Sequence, residues 1–176
     1  MDREITALKA QKKNPNRISV YLDGEYAFGL ARIVAAWLKI GQTLSEADIN
    51  RLKQQDTLEV GFQHALRFLS YRPRSEAEVH RKLSEQGFDE AVVQAVLQRL
   101  KENGLLGDEK FAQDWVENRT TFRPRSKRML AMELRQKGVI DEEIEKALAE
   151  TEDENTLAYQ AASQYARRLA GVDWEA

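Results

Sequence analysis

The sequence predicts a mainly α-helical fold: tandem three-helix repeats forming an elongated array, with a small N-terminal β-hairpin element. Three observations predict it. Short amphipathic stripes recur from Leu58 onward, each too short to be stable alone. A helical unit comes back once along the chain at a fixed offset. Near the start, an Asp-Gly pair joins two runs of alternating apolar residues.

The first 30 residues have the period of strands. Ile18, Val20 and Leu22 alternate with Ser19 and Tyr21, and Tyr26, Phe28 and Leu30 alternate with Ala27 and Gly29. Asp23-Gly24 lies between them and suits a type I′ turn, which needs φ > 0 at both central residues. Ile5 to Ala10 is a candidate third strand. A lone hairpin is marginal in water, so this one must pack on something. All β structure is expected before about Ala31. Ile33, Val34, Trp37 and Leu38 then recur at helical spacing up to Gly41, with Trp37 expected in the core. Ser45 caps a segment running to about Gln55, with Ile49 and Leu52 apolar.

Seven stripes follow. Phe62, Ala65, Leu66 and Leu69 share one face, and Val79 and Leu83 form the next, closed by Gly87. Val93, Val96, Leu97 and Leu100 end at Gly104, and Phe111, Ala112, Trp115 and Val116 come after it. Leu130 and Leu134 end at Gly138, followed by Ile144, Ala147 and Leu148. Ala158, Ala161, Ala162, Tyr165 and Leu169 make the last. Glycine just past a stripe is a common helix stop.

The repeat is plain in the residues. Tyr71-Arg72-Pro73-Arg74-Ser75 returns 51 positions later as Phe122-Arg123-Pro124-Arg125-Ser126. Val79, Leu83 and Gly87 match Leu130, Leu134 and Gly138 at the same offset. After one inserted residue, Asp89-Glu90 matches Asp141-Glu142, and Val92, Ala95 and Val96 match Ile144, Ala147 and Leu148. Arg-Pro-Arg makes a bend, because proline disfavours helix in the residue before it. Ser75 and Ser126 cap the second helix of each unit, and Asp89 and Asp141 the third. Ser75 has Glu78 three residues on, a capping box, whereas Ser126 has Met129 there. The expected organisation is residues 1–57 for the hairpin and a helical segment, 58–106 and 107–153 for two repeats, and 154–176 for the start of a truncated third.

Composition excludes several functions. The 176 residues carry 27 Lys+Arg against 29 Asp+Glu, so this is no generic polycation. Cysteine is absent, which removes disulfides, thiolate metal sites and cysteine nucleophiles. Met1-Asp2-Arg3-Glu4 opens no signal peptide, and Ile33 to Leu38 is the longest apolar run, so no membrane contact is expected. His64 and His80 are the only histidines and match no metal or catalytic spacing. No enzyme activity, cofactor or metal is expected.

The sequence resembles the RecX family, bacterial regulators of the RecA recombinase. The likeness rests on Tyr71-Arg72-Pro73-Arg74-Ser75-Glu76-Ala77-Glu78-Val79 with Lys82-Leu83 and Gly87-Phe88. It rests equally on the run Leu100 to Ala112, followed by Trp115-Val116 and Arg119. Gly107 stands where members often carry Asp or Asn. The resemblance implies a cytoplasmic, non-enzymatic monomer acting in homologous recombination, DNA repair and the SOS response. It implies binding to the RecA–single-stranded DNA filament and suppression of ATPase and strand exchange, with single-stranded DNA itself a candidate ligand. The implied array lies in the filament groove and bridges successive protomers. A helical module acting directly on DNA is the alternative.

One stretch is locally anomalous. Arg119 to Met132 holds Arg119, Arg123, Arg125, Lys127 and Arg128 with no acidic residue. Lys127 and Arg128 fall in the first turn of a helix, where positive charge opposes the macrodipole. A helix start flanked by arginine suits a phosphate or carboxylate. The stretch is therefore either an anion-contacting site or a solvated basic turn pairing within the fold. Arg72, Arg74, Arg81 and Lys82 are the first unit's equivalent, mixed with Glu76 and Glu78 and expected to pair internally. Tyr71, Phe122 and Trp115 are expected to pack into the core, and Glu142, Glu143 and Glu145 to face solvent.

Overall fold

The computed structural model describes residues 2–149, 151 and 153–169. It divides into two compact units, Met1–Phe68 with Leu83–Val96, and Leu69–Lys82 with Leu97–Ala176.

In the first unit, strands β1 (Arg3–Gln11), β2 (Asn14–Leu22), β3 (Glu25–Ala31) and β4 (Thr43–Leu44) form an antiparallel sheet in the order β3-β2-β1-β4. The candidate third strand is therefore real. The Asp23-Gly24 turn has φ of 52° and 89°, as the hairpin type requires. Asp23 also ties the turn to β1: its carboxylate accepts from Arg3 Nε at 2.7 Å and from the Glu4 N–H at 3.0 Å. Val20 faces Phe28 and Ile18 faces Leu30 across β2 and β3. The buried face holds Ile5, Val20, Leu22, Phe28, Leu30, Ala35 and Leu44, with Ile49 and Leu52 packed against it.

Three expectations for this region are corrected. Strand β4 lies beyond Ala31, pairing Arg3 with Leu44 and Glu4 with Thr43, and is too short to leave an alternating pattern. Helix α1 is only Arg32–Ala35, and Trp37 is 87% exposed instead of buried. The cause is backbone pairing nearby: Ile5 and Gly41–Gln42 exchange hydrogen bonds of 2.9 and 2.8 Å, which turns the chain back before a second helical turn forms. Finally, the segments on either side of residue 57 are one helix, α2 (Glu46–Leu69). Ser45 and Asp48 cap its start reciprocally. At its middle, Asp56 accepts from Arg17 at 2.8 Å and from the Ala31 N–H at 2.5 Å, tying helix to sheet.

Six further helices follow: α3 (Glu76–Glu85), α4 (Glu90–Glu102), α5 (Asp108–Phe122), α6 (Lys127–Gln136), α7 (Asp141–Ala149) and α8 (Glu154–Leu169). The predicted stripes of α3 to α7 are buried almost as written. Phe111, Ala112, Val116, Leu130, Leu134, Ile144 and Ala147 join in one core across α5, α6 and α7, with Trp115 and Leu148 against it. Asp141 is the first residue of α7, and the Ile140 carbonyl takes the first helical hydrogen bond. In α8 the buried residue is Leu157, while Ala158, Ala162 and Tyr165 are exposed. A leucine gains far more from burial than an alanine, and it sets the helix rotation. Trp174 lies outside the described residues. Among the described residues no helix is long and apolar enough to cross a membrane.

Gly138 links the two repeats. It has φ +80°, and a Cβ there would overlap the Cβ of Ala77 on α3. Gly138→Ala is expected to cost about 2 kcal/mol or more, from the left-handed backbone and the overlap together. Ala77→Gly alone should cost about 1 kcal/mol of helix propensity. Urea melting of the double variant should then show less than the sum, because the overlap is relieved.

Candidate functional site

Both Arg-Pro-Arg bends belong to the second compact unit. In the first bend the capping box closes: Glu78 N–H donates to Ser75 Oγ at 3.2 Å and Ser75 N–H donates to Glu78 Oε2 at 3.3 Å. Ser75 Oγ also donates to the Lys137 carbonyl at 2.5 Å, which fastens the bend to the end of α6. Glu78 then collects cations. Arg72 donates to it at 2.8 Å, Lys137 Nζ at 3.1 Å, and Arg74 lies 3.9 Å away. Only 7% of the Glu78 side chain is exposed. Burial pushes its carboxyl up, but the hydrogen bonds from Arg72, Lys137 and the Ser75 N–H prevail and hold it at about 2. Burial, followed by the Arg72 charge, lowers the pKa of Arg74.

The second bend has the same backbone plan and a different charge balance. Ser126 Oγ accepts from the Met129 N–H at 3.3 Å, so the cap forms. Met129 occupies the position of Glu78, and the second bend has no carboxylate there. Glu133 feels the charge of Arg125, but its hydrogen bonds go to other residues. Its Oε2 accepts from Arg119 at 3.0 Å and from Trp115 Nε1 at 2.9 Å. Arg119 lies over the Trp115 ring at 4.3 Å and Lys137 at 5.3 Å. Burial pushes the Glu133 carboxyl up, and the hydrogen bonds of Arg119 and Trp115, then the charges of Arg119 and Arg125, bring it below its usual value.

The sequence-predicted cations therefore differ in their partners. Arg72, Arg74 and Arg119 are held by internal carboxylates. Lys127 reaches the end of α7, where its Nζ donates to the carbonyls of Leu148 at 3.1 Å and Thr151 at 3.0 Å. That position favours a cation, whereas the start of α6 does not. Arg81 and Lys82 lie on α3, away from the second bend in sequence, with Arg81 exposed. Arg123, Arg125 and Arg128 are exposed, and among the described residues none of the three forms an ion pair.

Two aromatic expectations are overturned. Tyr71 is 77% exposed and Phe122 is 66% exposed. Trp115, by contrast, packs against the α5–α7 core as expected. Glu143 is not a solvent residue either, with 19% of its side chain exposed and an ion pair to Lys146. Sequence reasoning missed Glu133 and Lys137. Lys137 bonds to Glu78 across 59 positions and left no local signal. The start of α5 has no side-chain cap at Gly107. Its neighbour Asp108 instead accepts from the Glu76 N–H at the start of α3, at 2.8 Å, and burial pushes the Asp108 carboxyl up.

Three family models match this architecture in order: the regulatory protein RecX N-terminal domain over residues 3–45, the RecX first three-helix domain over 62–100, and the second over 108–148. The chain belongs to the RecX family. Among its RecX relatives, the regulatory protein RecX of Bacillus pumilus is 35% identical over 155 residues, covering 87% of this chain and 59% of the relative. That of Bacillus subtilis is 36% identical over 147 residues, covering 82% and 56%. The chain thus spans somewhat over half the length of these relatives. A crystal structure of regulatory protein RecX superposes with a TM-score of 0.79 at 28% identity, covering 95% of this chain and 82% of that one. RecX from Lactobacillus salivarius gives a TM-score of 0.58 at 25% identity, covering 66% and 74%.

Two predictions follow from the charge arrangement. Glu78 is ionised at lower pH in the folded state than its usual 4.5, so its stabilisation is complete above that value and is lost as pH falls towards about 2. A shift of this size corresponds to about 3 kcal/mol. Glu78→Gln should lose a similar amount at neutral pH and show a shallower further loss on acidification, measured by urea melts from pH 7 to 3. Among the second-bend cations, Lys127→Glu should lower the melting temperature, because it removes a cap from α7. The triple change Arg123→Glu, Arg125→Glu and Arg128→Glu should leave it within a few degrees.

Proposed function

We propose that this chain is a non-enzymatic regulator of the RecA recombinase, acting in the cytoplasm as a monomer. It binds the RecA–single-stranded DNA filament and lowers its ATPase and strand-exchange activity. Membership of the RecX family supports the regulatory role. The single observation that carries the contact surface is the missing carboxylate at Met129: it leaves Arg123 and Arg125 exposed where their counterparts Arg72 and Arg74 are neutralised. With Arg128 they form a cationic edge at a helix start, suited to a DNA phosphate or an acidic face of a filament protomer. Tandem repeats bound along a filament would reinforce one another through multivalency. Duplex reading by a recognition helix is less well supported, because α7, the third helix of the second unit, carries Glu142, Glu143 and Glu145.

The test restores the carboxylate. Met129→Glu should complete the capping box with Ser126, raise stability by about 0.5–1 kcal/mol and pair with Arg123 and Arg125. The wild-type chain should lower DNA-dependent ATP hydrolysis by RecA, and Met129→Glu should do so less well despite its greater stability. Unchanged hydrolysis at saturating wild-type protein, and equally with a longer relative, would refute the regulatory reading. Full inhibition by Met129→Glu would move the contact surface away from the second bend.

A further inference from the structure

We propose that Phe122 and Tyr71 are equivalent stacking platforms for unpaired bases of single-stranded DNA, with the second-bend arginines taking the adjoining phosphates. The proposal rests on the filament reading only for where such a strand would be met.

The observation behind it is a repeated exposure. Two large rings, 51 positions apart in the sequence and at the same place in each repeat, stand 77% and 66% exposed. Most of the other apolar side chains that match between the repeats are buried: Val79 and Leu130, Leu83 and Leu134, Val96, Ile144 and Ala147. Among the described residues no aromatic ring or cation covers either platform. Trp115 shows the contrast. It lies close by in the sequence, but Arg119 and Lys137 already occupy its ring.

Charge chooses among occupants. An acidic protein surface engages the arginines but does not by itself supply a π-face for each ring. A single strand presents both features the site offers, a π-face on every base and a phosphate on every link. Phe122 is the stronger platform, because among the described residues Arg123 and Arg125 beside it form no ion pair and only Arg125 feels the charge of Glu133, whereas Arg72 beside Tyr71 is paired with Glu78. Spacing is compatible with one strand. The first bend is fastened to the end of α6 through Ser75 and Lys137, and the second bend opens α6. Ten helical residues span about 15 Å, a separation that a few nucleotides of single strand can bridge.

The experiment is fluorescence anisotropy of labelled dT20 with the full chain over a range of salt. Wild-type protein should bind it, and a 20-base-pair duplex should compete less well than unlabelled dT20. Phe122→Ala and Tyr71→Ala should each weaken binding about fivefold or more, with unchanged circular dichroism and an unchanged salt slope. Tyr71→Phe should retain wild-type affinity. The pair Arg123→Ala with Arg125→Ala should instead flatten the slope of log affinity against log salt by about 1.4. Failure of wild-type protein to bind dT20 would overturn the inference, as would wild-type affinity in the alanine variants. So would a loss confined to the RecA filament with dT20 binding intact, which would make the rings a protein contact. Retained inhibition of RecA without dT20 binding would sink this inference and leave the regulatory reading standing.

Discussion

The second compact unit depends on one buried carboxylate. Glu78 accepts from Arg72, Lys137 and the Ser75 N–H, and these donors come from a bend, a helix start and the end of a helix in the other repeat. Burying a charge is costly unless it is paired and hydrogen-bonded, and here three partners meet that cost. The same contact sets the relation of α3 to α6, because Ser75 Oγ and Glu78 grip the backbone and side chain of a single residue, Lys137. Gly138, next along, has no Cβ and lets Ala77 approach. Polar pairing and close packing therefore act at adjacent positions, and each would be weaker without the other.

Differences in charge just after the shared Arg-Pro-Arg-Ser distinguish the two bends: Glu76, Ala77 and Glu78 stand against Lys127, Arg128 and Met129. Both keep the proline, the capping serine and the flanking arginines. In the first, Glu78 pairs with the arginines and with Lys137 and makes the bend a structural joint. In the second, Met129 cannot do so, and the arginines remain on the surface. Glu133 does not compensate, because Arg119 and Trp115 already hold it. Among the described residues Arg123, Arg125 and Arg128 form no ion pair and stay solvated. The first bend is thus braced internally and the second keeps its arginines on the surface, although both share Arg-Pro-Arg-Ser.

The helices of this chain are short and their stripes narrow, so their stability comes from packing on one another. The internal pairs do more than add stability. Arg119, clamped by Glu133 and lying on Trp115, stiffens the end of α5 just before the exposed bend. Lys127 fastens the start of α6 to the end of α7. The bend between them is thereby held at both ends. Exposed side chains on a fixed backbone lose less conformational freedom on binding than the same residues on a mobile loop.

Much of the fold was legible in the sequence. The hairpin turn, the Ser45 and Ser75 caps, the helix stops and the buried stripes of α3 to α7 are local features, each set by residues within a few positions of one another. Where larger structure intervened, local pattern misled. Trp37 fits a helical stripe, but pairing between Ile5 and Gly41–Gln42 ends the helix before that stripe is completed. In α8, Leu157 outweighed the alanines. The basic run from Arg119 to Arg128 was visible as a run, yet its residues could not be sorted by sequence. Arg119 and Lys127 find partners 14 and 21 or more positions away, and Glu78 finds Lys137 across 59. Sequence alone determined the repeat, the bends and the placement of charge. Tertiary structure decided which charges are neutralised and which rings are open, because counter-ions and cover are supplied by residues distant in the chain.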